Sequence, residues 1–296
     1  MSSPSPVVVV TGANGLVGAA VCRALAARSA SVRAVVRRPG TAPSLDGVTE
    51  HVGDAADVLE GADAVVTTVH PMGSSREVQH EVGVEGTAAL ARAAAAASVA
   101  RLVHVSTAGV YDRSAGLGDL AEDAALLPDG SGDYPDTKNA ADTALAQVGG
   151  LTTVLVRPPA IAGAGETSTW NTLRPQSFRD GDRSVNPAKS WAWVHVDDLA
   201  AFLADLAVGA VATSEDPEQG PVAGGTTPVL VAGEPATWGE YLGAVGQATG
   251  IEPEWTDEPV WTGQLRTDRA RRWGWTPQVG LDAALAELRE GLTAQR

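Results

Sequence analysis

Val7-Val8-Val9-Val10-Thr11-Gly12-Ala13-Asn14-Gly15-Leu16-Val17-Gly18 is a β-branched run that passes through three spaced glycines into an alanine- and leucine-rich stretch. The first four residues predict a strand, the stretch near Val17–Ala27 a helix, and the glycines a tight turn between them. Such a turn aims free backbone N–H groups and the positive end of the helix dipole at one point, where a pyrophosphate can sit. Gly12 permits the turn, Gly15 the approach of a phosphate, and Gly18 the packing of helix on strand. The spacing G-x-x-G-x-x-G carries one more residue in its first gap than G-x-G-x-x-G. Three glycines in a chain that holds 33 are weak evidence alone. The strand and helix around them make Gly12, Asn14, Gly15, Leu16, Val17 and Gly18 candidates for a dinucleotide phosphate cradle.

Working outward, strands are expected at Val32–Val36, Val48–Val52, Ala64–Val69, Arg101–Ser106 and Thr152–Arg157, with helices near Gly83–Ala97 and Asp136–Val148. Strands alternating with helices predict an α/β protein, a Rossmann-type doubly wound parallel sheet. Runs that are apolar throughout predict strands buried on both faces. After Pro158 the texture changes. Loops rich in Gly, Pro, Asp and Thr are expected over Ala162–Ser190 and Ser214–Pro228, and all eight tryptophans lie in this part. The division expected is a dinucleotide-binding domain over 1–160 and a mostly substrate-binding lobe over 161–296, with a segment near 190–210 returning to the first core.

A net charge of -15 disfavours nucleic acid and anionic membrane surfaces as partners. The single cysteine, Cys22, excludes an intrachain disulfide and a cysteine-rich metal site, so no metal is expected and a reducing cytoplasm suits the chain. Met1–Pro6 lacks the basic and long apolar regions of a signal peptide, and Ala88–Ala100 is too short and too weakly apolar to span a bilayer.

The second predicted strand ends in Arg37-Arg38-Pro39, where an NAD-specific site would place an acid on the ribose 2′-hydroxyl. Arg37 suits a 2′-phosphate, so NADP(H) is favoured over NAD(H), although a strand end also accommodates a solvated arginine pair. Asp54, after the third strand, can accept from an adenine amino group or serve as a turn residue.

Tyr134 and Lys138 stand four residues apart in a chain with 3 tyrosines and two lysines. Shuffling this composition would produce such a pair in about 2% of cases. On a helix the two share a face. An adjacent ammonium stabilises a phenolate and lowers its pKa toward the working range of an acid/base group. Ser106 and Thr107 end a strand at the sheet edge where α/β proteins place ligands, and either can donate to a substrate carbonyl or cap a turn.

Taken together, T-G-A-N-G-L-V-G at 11–18, V-H-V-S-T-A-G-V-Y at 103–111, Y-P-D-T-K at 134–138, R-P-P at 157–159, W-V-H-V-D-D-L-A at 193–200 and R-R-W-G-W-T-P at 271–277 follow the order of a family's landmarks. The chain resembles the extended short-chain dehydrogenase/reductases, the NAD-dependent epimerase/dehydratase group, nearly end to end. The resemblance implies that Thr107 is the catalytic hydroxyl, Tyr134 the acid/base and Lys138 the holder of the nicotinamide ribose. It also implies cofactor contacts from Val69, His70 and the Pro158 backbone. Gly83 stands where many members carry Asn, and Ala160 where sugar-nucleotide enzymes often carry Asn after the Arg-Pro turn, which argues against such substrates.

His195 is expected to end a strand and cap a helix over Asp198–Val208, with a secondary candidacy as a substrate contact. Trp170, Trp191 and Trp193 are expected either to pack the small lobe or to line an aromatic pocket. The activity expected is NADP(H)-dependent reduction or oxidation of a carbonyl or alcohol on a small aromatic or polyketide-like molecule. The alternatives are a nucleotide-sugar epimerase or dehydratase with retained NAD, and an NADP-sensing protein without turnover. Homodimers through helices flanking the active site are common to this fold.

Overall fold

The computed structural model describes residues 5–294. Met1 to Pro4 of the N-terminal segment, and Gln295 and Arg296 of the second predicted region, lie outside the described residues. The elements run β1 (Val7–Thr11), α1 (Leu16–Ala27), β2 (Ser31–Val36), β3 (Val48–Val52), β4 (Ala64–Thr67), α2 (Arg76–Val78), α3 (Thr87–Ala96), β5 (Arg101–Val105), α4 (Asp133–Ala146) and β6 (Thr152–Arg157). They continue with β7 (Ala160–Ala162), α5 (Arg174–Arg179), β8 (Ser184–Val185), β9 (Trp193–His195), α6 (Val196–Ala207), β10 (Thr226–Leu230), α7 (Trp238–Thr249), β11 (Glu254–Trp255), α8 (Asp268–Arg272) and α9 (Leu281–Ala294).

Seven parallel strands form the central sheet in the order β10-β6-β5-β4-β1-β2-β3. The fold is the doubly wound Rossmann type. The order reverses between β1 and β4, which opens a crevice at their carboxyl ends. One face of the sheet packs under α1 and α6, with Val8, Val10, Val103, Val154, Leu199 and Leu203 in that core. The other face lies under α3 and α4 and buries Val9, Val65, Leu102, Leu145 and Leu155. Val8, Val9 and Val10 have no exposure at all, as central parallel strands require.

Four expectations need correction. β3 is not buried on both faces: it is the sheet edge, Thr49 and Glu50 are exposed, and Val52 is 46% exposed. The region read as loop over Ser214–Pro228 delivers the start of β10, the opposite edge strand. Pro228 hid it, since a residue without an N–H is tolerated only at an edge, and Arg269 Nη1 donates to the Pro228 carbonyl at 2.8 Å. The region read as loop over Ala162–Ser190 holds a π-helical stretch Thr169–Leu173, α5 and β8. Finally, α6 starts at Val196, two residues before the predicted boundary, because His195 rather than a later residue is the cap.

A second core joins the smaller elements: Phe178, Trp191, Trp193, Tyr241, Leu242, Leu285 and Leu288 pack between α5, α7 and α9. The α7 terminus carries a capping box, in which Thr237 Oγ1 accepts from Glu240 N and Glu240 Oε2 accepts from Thr237 N. Among the described residues no helix is long and apolar enough to cross a membrane.

Asp198 ties the two cores. Its buried carboxylate accepts from Gln278 N and Val279 N, both at 3.0 Å, and holds the approach to α9 against α6. Asp198→Ala leaves two backbone donors without their partner and is expected to lower unfolding free energy by about 3 kcal/mol, read as a lower urea midpoint at unchanged slope.

Candidate active site

The glycine turn closes as its spacing demands. Gly12 has φ +67°, and Gly15 N donates back to the Gly12 carbonyl at 2.9 Å. A Cβ on Gly18 would stand 2.1 Å from the Gly12 carbonyl oxygen, so only glycine lets α1 lie this close to the end of β1. The α1 N-terminus has no side-chain cap and no acid in its first turn. Its first N–H groups therefore face the crevice, the arrangement that holds a pyrophosphate. Thr68, after β4, locks the turn by donating to the Thr11 carbonyl at 2.7 Å.

Around this cradle the other cofactor candidates take different positions. Arg37 and Arg38 are exposed at the carboxyl end of β2. Asp54 caps the following 3-10 turn, accepting from Ala56 N at 2.9 Å. Val69 is exposed beside Gly12, and its Cγ2 would meet a Cβ there at 3.1 Å. The Pro158 carbonyl accepts from Ala108 N at 2.8 Å and so joins the ends of β5 and β6.

Thr107, Tyr134 and Lys138 converge at the carboxyl end of β5. Thr107 Oγ1 accepts from Gly109 N at 3.0 Å, and a Cβ on Gly109 would lie 3.2 Å from that oxygen and 3.8 Å from Tyr134 Cε1. Gly109 thus keeps clear the ground between hydroxyl and phenol. Tyr134 and Lys138 share α4, which begins at Asp133 after Gly132, a residue at φ +151°. Lys138 is buried, and Nζ donates to the Val105 carbonyl at 2.7 Å. Burial pulls its pKa down to about 8, against the opposing charge of Asp142.

Burial pushes the Tyr134 phenol above its ordinary value, and the neighbouring Thr107 hydroxyl pulls the other way. The lowering expected from Lys138 is not among the influences on that phenol. The ammonium is turned instead toward the end of β5.

The sequence model for NAD(P)H-binding proteins matches residues 12–207, which span the cradle, Thr107, Tyr134 and Lys138. The chain belongs to this family. It is an NAD(P)-dependent enzyme and an oxidoreductase, an extended short-chain dehydrogenase/reductase as its motifs imply. It is 30% identical over 264 residues to the 4-hydroxy-2-methyl-3-oxo-4-farnesyl-3,4-dihydroquinoline-1-oxide ketoreductase of Stigmatella aurantiaca, covering 83% of this chain and 74% of that one. It is 30% identical over 219 residues to the 2-alkyl-3-oxoalkanoate reductase of Stenotrophomonas maltophilia, covering 69% and 66%. The fold also superposes on the UDP-glucuronic acid 4-epimerase of Bacillus cereus in complex with NAD, with a TM-score of 0.74 at 18% identity over 97% and 96% of the chains.

This short-chain dehydrogenase/reductase holds α4 in place with a buried charge network that the sequence reading missed. Asp142 accepts from Ser106 Oγ at 2.8 Å and from Arg157 Nε and Nη2 at 3.1 and 2.9 Å, and Arg157 Nη1 donates to Tyr111 OH at 2.6 Å. Ser106 is thereby spent on structure and faces away from a donor role. Asp142 stands four residues past Lys138, so an i,i+4 reading of the helix had the signal to find it.

The chain also carries a π-helical stretch, Gln79–Gly86, between α2 and α3. Its extra width brings Gly83 against His70, where a Cβ would lie 3.0 Å from His70 Nδ1. The ring of His70 meets that of Tyr134 edge-on at 5.0 Å. Gln79 Nε2 donates to the Ser74 carbonyl, so its Oε1 faces His70 Nε2 at 3.1 Å and makes that nitrogen the protonated one. Burial first, then the charge of Lys138, brings His70 down to about 4, so the imidazole is neutral beside the phenol.

The remaining candidates belong to the small lobe. Trp191 and Trp193 are buried, stacked at 5.8 Å and packed with Tyr241. Trp170 is partly exposed at the edge of that cluster. His195 caps α6: Nδ1 accepts from Asp197 N, and Nε2 therefore donates to Glu287 of α9 at 2.9 Å.

Removing the charge at Asp142 leaves Arg157 buried without a counter-ion. Asp142→Asn is expected to destabilise the protein by about 3 kcal/mol in a denaturant titration. Ser106→Ala, which removes one hydrogen bond and no charge, is expected to cost about 1 kcal/mol.

Proposed function

We propose that this protein is an NADP(H)-dependent ketoreductase or dehydrogenase that interconverts a carbonyl and an alcohol on a small, predominantly apolar molecule. One observation carries the reading: a hydroxyl and a phenol, Thr107 and Tyr134, meet across Gly109 at the end of a sheet crevice, with a buried lysine one helical turn behind. The ketoreductase from Stigmatella aurantiaca and the 3-oxoalkanoate reductase from Stenotrophomonas maltophilia support it.

The residues fit the cofactor. Gly12, Asn14, Gly15, Leu16, Val17 and Gly18 would receive the pyrophosphate, Asp54 would accept from the adenine amino group, and Val69, His70 and the Pro158 backbone would contact the cofactor beyond the turn. Bound NADPH supplies the hydride. Tyr134 delivers the proton to the substrate oxygen, and Thr107 donates to the same oxygen and stabilises its developing charge. Lys138, one helical turn along α4 from the phenol, would hold the nicotinamide ribose. His70, neutral and fixed by Gln79, holds the phenol ring from its edge.

NADP(H) is favoured over NAD(H) because two arginines end β2. Glu50, an acid of the adjacent β3, is engaged by Gly40 N, Thr41 N and Ala42 N and leaves no carboxylate for a 2′-hydroxyl. The catalytic and cofactor residues lie in 1–160, while 161–296 contributes most of the substrate wall, with Trp170 at its aromatic edge. The same fold in a UDP-glucuronic acid 4-epimerase keeps the nucleotide-sugar reading as the second one, and NAD retained by the purified protein would favour it. Cys22, buried with its thiol pushed up to about 12, suits a reducing cytoplasm. Val78 and Val82, exposed beside α4, suit pairing of two copies.

NADPH oxidation against a panel of aromatic and 2-alkyl-3-oxo ketones tests the activity. Tyr134→Phe is expected to reduce kcat by about 10²–10⁴-fold with unchanged NADPH affinity, and near-full turnover by this variant would sink the reading. For the cofactor, Arg37→Glu is expected to cut the preference for NADPH over NADH at least about tenfold in a fluorescence titration. An unchanged ratio would remove Arg37 from the 2′-phosphate site.

A further inference from the structure

Arg113 lies six residues beyond Thr107 on the loop that follows β5. Its Nη2 donates to the Ala108 carbonyl at 2.8 Å, one residue from the Thr107 hydroxyl. Its guanidinium carbon stands 5.4 Å from the centre of the Trp261 ring, and Nε is buried with no hydrogen-bond partner. Among the described residues it makes no ion pair.

Three other enclosed arginines do. Arg157 is paired with Asp142, Arg174 with Asp182 and Arg269 with Glu218. The acids near Arg113 in the chain are committed elsewhere: Asp112 accepts from Ser114 N, Asp119 from Gln264 N and Glu122 from Leu230 N. Burial without a counter-charge draws the Arg113 pKa down to about 10, which still leaves it charged at neutral pH. Such a group destabilises a fold unless an anion arrives to pair with it.

Its surroundings specify where that anion would come from. Trp261 donates from Nε1 to the Gly118 carbonyl at 3.0 Å and packs with Ala108, Val110, Tyr111 and Leu120. Arg113 therefore lies where the loop bearing Thr107 meets the small lobe, against the Trp261 ring. One planar cation, held flat on an indole, matches one planar anion. A doubly charged phosphate would want further cations, and Arg266, on the segment after Trp261, is paired with Asp268.

The geometry points to Arg113, stacked on Trp261, as the receptor for a carboxylate carried by the substrate a few bonds from its reacting carbonyl. The substrate class is then an oxo acid in one direction and a hydroxy acid in the other. This rests on the oxidoreductase reading and narrows it. Arg113 orients the substrate and takes no part in proton transfer.

Calorimetric titration of the NADPH-saturated enzyme with 3-hydroxyoctanoate and with its methyl ester, in which cofactor and ligand are both reduced, tests the site without turnover. The wild type is expected to bind the acid at least tenfold more tightly than the ester. Arg113→Gln is expected to abolish that preference with NADPH affinity intact, and Arg113→Lys to retain part of it. Equal affinity for acid and ester in the wild type, or no measurable affinity for the acid, overturns the proposal, as does an Arg113→Gln variant that keeps the preference. Should Arg113→Gln fail to fold, the wild-type comparison and Arg113→Lys still decide. Acid preference without NADPH oxidation in the presence of 3-oxooctanoate would count against the reductase reading and leave the carboxylate site standing.

Discussion

The buried pair Asp142–Arg157 is the constraint from which the active site takes its shape. A carboxylate on α4 meets a guanidinium on β6 and the hydroxyl of Ser106 at the end of β5, all shielded from water. In a low-dielectric interior, each charge is costly alone and strongly held by the other. The pair therefore fixes the height and rotation of α4 over the sheet. Tyr134 and Lys138 ride on the same helix, so the position of the phenol over Thr107 follows from a bond made one and two turns away. Burial pushes the Asp142 carboxyl upward, while Arg157 and Ser106 draw it down, and its charge supports the ammonium of Lys138.

On the opposite flank of the phenol, the π-helical widening of the segment before α3 does comparable work by steric means. Gly83 withdraws a side chain, His70 occupies the space, and Gln79 decides which imidazole nitrogen carries the proton. A neutral imidazole packed edge-on to Tyr134 adds no charge that would compete with Lys138. The absence of Asn at Gly83, which the sequence reading took as evidence about substrate, also has this local meaning: it makes room for a histidine.

The small lobe is two different structures in one. Trp191, Trp193 and Tyr241 are a packing core, sealed and stacked, while Trp170 is partly exposed at its edge. The composition of the lobe left open whether these rings pack it or line a pocket. Hydrophobic burial claims most of those rings, and only the ones at its margin remain available to a ligand.

From the sequence alone, the phosphate turn, the parallel α/β order and the Tyr134–Lys138 helix were legible, because each rests on local chemistry: β-branched runs, glycine at a turn that other residues cannot make, and side chains one helical turn apart. β10 was not legible, since Pro228 breaks a strand pattern everywhere except at a sheet edge, and only the assembled sheet says where its edges are. Asp142 was within reach as the residue one turn past Lys138, but its pairing with Arg157, the neutral His70 and the unpaired Arg113 were not. Each depends on which groups burial leaves together and on which of them find a counter-charge, and that is settled by packing across residues far apart in the chain.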